Sequence, residues 1–124
     1  MPIPFLPEAR LMRTLSHPGR LAILESLRDG KACVCHLTAV LRRPQAYLSQ
    51  QLAILRGAGL IEAQRDRAFT YYHLRDHRVL RLLEQAGHLT GGPTPRAAVA
   101  TSRPAACACP QCRSAVTPPR GKSA

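Results

Sequence analysis

Five cysteines are the residues best suited to chemistry in this chain of 124 amino acids. Cys33 and Cys35 stand one residue apart, and Cys107, Cys109 and Cys112 form a Cys-x-Cys-x-x-Cys run. Thiolates are soft ligands, and such spacings suit tight chelation of thiophilic ions. On a regular helix, residues i and i+2 point to different faces. Cys33 and Cys35 can therefore hold one ion only where their segment is extended, bent or unwound. Three sulfurs drawn from Cys33, Cys35 and the distal run suit As(III) or Sb(III) better than four-coordinate zinc. The same thiols could instead respond to oxidants or sulfide through a disulfide or polysulfide bridge. A Cys35–His36 catalytic pair is excluded, because adjacent side chains point apart and no orienting acid or oxyanion motif accompanies them. Neither a glycine-rich phosphate loop nor a hydrolase motif is visible, so the expectation is a protein that is not an enzyme and needs no organic cofactor.

Charge narrows the choice of partner. Lys and Arg total 18 against 7 Asp and Glu, a formal net charge of +11. That excess favours a polyanion. Aromatic residues are few and Trp is absent, which counts against RNA recognition by base stacking. No apolar run reaches the roughly 20 residues that span a bilayer, and the first residues lack the basic start and apolar core of a signal peptide. The expected setting is cytoplasmic, with no membrane partner. In a reducing cytosol the cysteines are better read as ligands or sensors than as a disulfide framework.

The elements that must position these groups lie in the first part of the chain. Residues 1–89 carry all seven acidic residues and nearly all large apolar ones, whereas residues 90–124 hold six prolines and no Leu, Ile or aromatic residue. The second segment cannot bury enough apolar area to offset chain entropy. It is expected to be a basic, Pro-rich, disordered tail long enough to cover a small domain. Within residues 1–89, a short helix is predicted from Glu8 to Leu15. A second opens at Pro18 with Leu21, Ile23, Leu24 and Leu27 as its apolar residues and Gly30 as its stop. A third begins near Leu37. The Arg42-Arg43-Pro44 turn follows, and a fourth helix runs to Arg56 with Leu48, Leu52 and Leu55 on one face. Strands are predicted at Leu60–Gln64 and Ala68–Leu74. A last helix is predicted from Asp76 to Leu89, with Val79, Leu82, Leu83 and Ala86 on one face. The fold class is mainly α with a small β-hairpin, a winged helix-turn-helix.

Such a motif presents the N-terminal residues of its reading helix to base edges. Here those are Gln45, Tyr47, Ser49 and Gln50. Gln can bond an adenine edge twice, and Ser can bond several bases. Arg42 and Arg43 at the turn are expected on phosphates, as is Arg56. Arg65 and Arg67 at the wing tip suit a minor groove or phosphate. The expected partner is double-stranded operator DNA carrying an inverted repeat, bound with steep salt dependence.

Four stretches resemble a known family in the right order. Leu15 to Leu24 resembles its L-x-x-P-x-R-L-x-I-L, and Lys31 to Leu37 its metal-binding box, E-L-C-V-C-D-L. Tyr47 to Ile61 resembles its recognition helix and the exit from it, and Tyr71 to Leu74 the end of its wing. Residues 10–89 thus resemble an ArsR/SmtB-type metal-responsive repressor. The resemblance implies a homodimer, paired through its first and last helices, that represses its own operon and leaves the operator when inducer binds. Several positions depart from the pattern. His36 and Lys31 replace acids of the box, Gln50 and Gln51 stand where Arg and His are common, and Thr38 stands where many arsenite sensors have a third Cys. No cysteine precedes Cys33, unlike many cadmium and lead sensors. Aligned on Asp76, the histidines of the interfacial zinc site fall on Arg78 and Leu89 and its Glu on Gly92, so that site is lost. Cd(II), Pb(II) and Zn(II) stay as alternative inducers, and a metal-buffering module is the third reading.

Overall fold

The computed structural model describes residues 3–92. Five helices and three short strands follow in the order α1 (Leu6–Leu15), α2 (Pro18–Ser26), β1 (Ala32–Cys33), α3 (Val34–Leu41), α4 (Gln45–Gly57), β2 (Ile61–Asp66), β3 (Phe69–Leu74) and α5 (Arg78–Thr90). The helical core is assembled by residues that the periodicity marks out. Leu48, Leu52 and Leu55 of α4 meet Ile23 and Leu24 of α2 and Leu37 of α3, all at 0% exposure. Ile61, Leu74, Val79, Leu80 and Leu83 close that core from the sheet and from α5.

The hairpin is part of a larger sheet than expected. Its two strands pair antiparallel from Ile61↔Leu74 to Asp66↔Phe69. On the other edge of β3, Ala32 pairs with Tyr72 and Cys33 with Tyr71, giving the order β1-β3-β2. Two residues are too few for the period-2 alternation that announces a strand. The extra strand moves the start of α3 from the expected Leu37 back to Val34.

Turn chemistry sets the other boundaries. Pro18 occupies the first turn of α2, and His17 caps it by accepting the Gly19 N–H at Nδ1, 3.1 Å away. Arg42 closes α3 in the left-handed region (φ 54°), and Pro44 precedes α4 with φ −60°. Arg67, in the β2–β3 turn, is also left-handed (φ 58°). Helix α5 starts at Arg78 rather than Asp76, because the Asp76 carboxylate accepts the Arg78 N–H at 2.9 Å.

The buried face of α5 differs from the expected one. Val79, Leu80 and Leu83 are buried, Leu82 is half-buried, and Ala86 and Leu89 are exposed, Leu89 at 91%. Leu82, Ala86 and Leu89 form an outward stripe at i, i+4, i+7 spacing. On α1, Leu6 and Met12 are likewise exposed, with Phe5 just before the helix.

Candidate thiol site and nucleic-acid interface

Cys33 and Cys35 sit at a corner where a strand turns into a helix. Cys33 ends β1 in extended conformation (φ −88°, ψ 166°) and is also the residue that caps α3, its Sγ accepting the His36 N–H at 3.4 Å. Cys35 lies in the first turn of α3. The change of backbone conformation between them overrides the helical rule that sends i and i+2 apart. Their sulfurs lie 2.6 Å from each other. Unwinding of α3 is therefore not needed to bring them together, because the strand supplies the extended residue in advance.

The two sulfurs are not equivalent. Cys33 is buried at 2% exposure, while Cys35 is exposed. Cys33 packs with Tyr71 and Phe69 of β3 in a small cluster separate from the main core. Lys31 Nζ stands 4.9 Å from the centre of the Tyr71 ring, a cation–π distance. His36 is half-buried, and that burial lowers its pKa, which favours the neutral imidazole. Among the described residues no three His, Cys, Asp or Glu side chains gather into a metal-binding group. Cys107, Cys109 and Cys112 lie outside the described residues. Two soft sulfurs fit a thiophilic ion, with further ligands to come from elsewhere.

The expected DNA-facing residues fall on two projections. Arg42, Arg43, Gln45, Ser49 and Gln50 are exposed along the turn and the first turns of α4, and Arg56 is exposed near its end. Arg65 and Arg67 are exposed at the hairpin turn, where Arg65 Nε donates to the Arg67 carbonyl at 3.2 Å. Tyr47 differs from its neighbours. It is half-buried, and its ring is tilted against His17 with centroids 6.2 Å apart.

Two polar residues with structural work were missed from sequence. Gln51 is buried at 6% exposure and accepts a 2.9 Å hydrogen bond from Arg20 Nε, while Arg20 Nη1 donates to the Thr14 carbonyl at 3.1 Å. Arg20 thereby ties α1 and α2 to the reading helix. The available signal was Arg20 itself, a charge placed inside the apolar run of α2.

A second strand-to-helix corner joins β3 to α5. Asp76 accepts from the Arg78 backbone at 2.9 Å and from its guanidinium at 2.7–3.1 Å. The Arg78 hydrogen bonds pull the Asp76 pKa down from 3.8 to about 2. The guanidinium thus engages both carboxylate oxygens of Asp76.

Comparison with known proteins matches the same region. A family model described as "Bacterial regulatory protein, arsR family" covers residues 17–63. The "Biofilm growth-associated repressor" of Agrobacterium fabrum is 40% identical over 76 residues, which are 61% of this chain and 65% of that protein's length. The crystal structure of the transcriptional repressor BigR from Xylella fastidiosa superposes with a TM-score of 0.62 at 32% identity, covering 68% of this chain and 87% of that one. The NMR structure of the cadmium metal-sensor CMTR from Mycobacterium tuberculosis does so with a TM-score of 0.56 at 34% identity, covering 66% and 84%. The shared motifs, the winged fold and these likenesses agree, and the chain belongs to the arsR family of bacterial regulatory proteins.

Proposed function

We propose that this chain is a transcriptional repressor that holds operator DNA and lets go when a thiophilic metal or metalloid, foremost As(III) or Sb(III), engages Cys33 and Cys35. The observation that carries this reading is the convergence of the two sulfurs at the N-terminus of α3, the helix that leads through Arg42-Arg43-Pro44 into the reading helix. The cadmium sensor among its structural neighbours supports a metal-ion inducer in general, and Cd(II), Pb(II) and Zn(II) are the alternatives. Cys107, Cys109 or Cys112 would complete the sulfur set. Soft Lewis-acid chemistry would then draw on Cys35, which is exposed, and Cys33, which is anchored.

That difference gives the chain a route from ligand to DNA. Cys33 is fixed by pairing with Tyr71 and by capping α3. A pull on its sulfur reaches the recognition helix through α3 and the wing through β3. Release requires that inducer bind the DNA-free form more tightly than the DNA-bound form. The partner on this reading is a double-stranded inverted repeat, read by Gln45, Ser49 and Gln50 and held by Arg42, Arg43, Arg65 and Arg67, with the protein working in the cytoplasm. The exposed apolar stripe of α5 and the apolar residues of α1 support a homodimer. Leu89→Gln should leave thermal stability almost unchanged and weaken self-association in analytical ultracentrifugation.

The deciding experiment is anisotropy of the reduced full chain on its own promoter DNA, with As(III), Sb(III), Cd(II), Pb(II) and Zn(II) added in turn. Release by As(III) or Sb(III) that is lost in Cys33→Ser is the expected result. Specific binding indifferent to all five ions would overturn the metalloid reading. The closeness of the sulfurs also favours a second reading, a redox or sulfide sensor, in which DNA binding lost under oxidant or polysulfide returns with reductant alone.

A further inference from the structure

A cleft of about 360 Å³ opens between the start of α2 and the reading helix. Leu41 and Leu48 contribute apolar wall, and three polar side chains, His17, Arg43 and Tyr47, line it. All three present donors. The His17 ring uses Nδ1 to accept the Gly19 N–H, which leaves Nε2 as the protonated nitrogen of the neutral ring. Arg43 offers only N–H groups. The Tyr47 hydroxyl makes no hydrogen bond among the described residues, although the side chain is half-buried. No carboxylate lines the cleft. The backbone is shaped to the same end. A Cβ on Gly19 would stand 2.1 Å from Tyr47 Oη, so glycine is what lets the hydroxyl lie against the first turn of α2.

Two half-buried donors, His17 Nε2 and the Tyr47 hydroxyl, beside the exposed Arg43 guanidinium, whose Nη1 also donates to the Arg42 carbonyl at 3.3 Å, suit an anion, and the cleft adjoins the N-terminal turns of the reading helix. In helix-turn-helix complexes the helix before the reading helix, here α3, crosses the DNA backbone, and Leu41 of α3 and Arg43 of the turn after it form one wall of the cleft. We propose that His17, Tyr47 and Arg43 form a seat for one backbone phosphate of the DNA flanking the reading helix. This rests on the DNA-binding reading above and changes the part played by one residue in it. Tyr47 serves as a phosphate ligand that fixes the register of α4, and base reading is left to Gln45, Ser49 and Gln50. Phosphate contacts set position and carry no sequence information.

The test uses the full-length chain, promoter duplexes and random duplexes. Tyr47→Phe and His17→Gln should each weaken binding about tenfold, by loss of a hydrogen bond to a charged group, and equally on both DNAs. Tyr47→Phe removes no charge, so its slope of affinity against salt should hold, whereas Arg43→Gln should lower it by about one. Gly19→Ala, which displaces the hydroxyl without deleting it, should reproduce the Tyr47→Phe loss. A duplex with a single methylphosphonate at the seated phosphate should bind the wild type weakly and cost Tyr47→Phe nothing further. Losses confined to the promoter duplex would make Tyr47 a base reader and overturn the proposal. So would wild-type affinity in Tyr47→Phe and His17→Gln, or saturable binding of inorganic phosphate in the cleft that leaves DNA affinity unchanged. A wild-type chain that binds no duplex refutes the DNA reading and this seat with it. Wild-type binding matched by the variants refutes the seat alone.

Discussion

Two corners of this molecule turn a strand into a helix, and at each a side chain accepts an N–H from the first turn of the helix that follows. At the β1–α3 corner the cap is Cys33, whose Sγ accepts the His36 N–H. At the β3–α5 corner Asp76, one residue before the N-cap His77, accepts the Arg78 N–H. The difference lies in what else the accepting group meets. Cys33 meets a second sulfur, a ligand of the same kind. Asp76 meets a guanidinium of opposite charge, which occupies both carboxylate oxygens. On the proposed reading, the corner that gathers like ligands takes an ion, whereas the corner that supplies its own counter-charge does not. Residue type alone does not separate the two cases, since a Cys and an Asp are both competent ligands.

The largest expected effect falls on the first corner. On the proposed reading, saturating As(III) weakens DNA binding by a factor of about 5–150, the usual size of such coupling. Cys33→Ser and Cys35→Ser should bring that factor to one, while Arg78→Ala leaves it as in the wild type. Equal damage from Arg78→Ala would erase the distinction between the corners. A smaller effect is expected behind Cys33. Tyr71 is 2% exposed and pairs with it, so Tyr71→Ala should cost about 3 kcal/mol in urea unfolding. The more conservative Tyr71→Leu should keep the fold and As(III) affinity but reduce the release factor, as read by anisotropy.

The smallest effect is electrostatic and belongs to the second corner. Asp76 is depressed from 3.8 to about 2 by its Arg78 hydrogen bonds. A depressed carboxyl contributes stability above its unfolded value, and that contribution fades as pH falls from 3.8 through about 2. A carboxyl-detected NMR titration should give a midpoint near 2 in the wild type. In Arg78→Ala the midpoint should rise toward the ordinary carboxylate range. An unmoved midpoint would mean that something other than the guanidinium satisfies Asp76.

Much of the architecture was legible because it obeys local rules. The Leu48, Leu52 and Leu55 stripe, the Pro44 boundary and the aromatic wing strand follow from helical period, missing amide hydrogen and β-propensity. The convergence of Cys33 and Cys35 was not. It depends on β1, a strand of two residues created by pairing with Tyr71 and Tyr72 far along the chain. A helical rule applied to both cysteines could not see that one of them lies outside the helix. The Arg20–Gln51 bond was hidden for the same reason, since it joins positions 31 apart. Helix α5 misled differently. It is apolar on two faces, and periodicity alone does not say which face meets the core of its own chain.

Arg42 and Arg67 hold left-handed backbone, at φ 54° and 58°, in the two turns that frame the reading helix and the wing. For a residue with a Cβ this conformation costs roughly 1–2 kcal/mol, and glycine adopts it freely. Arg42→Gly and Arg67→Gly should therefore relieve the strained geometry in the folded state, with melting temperature as the check, yet each deletes a charge from the surface proposed to meet DNA. A library screened for heat resistance alone would drift toward glycine at both turns and lose grip on its operator. A library screened for repression would keep the arginines and the strain.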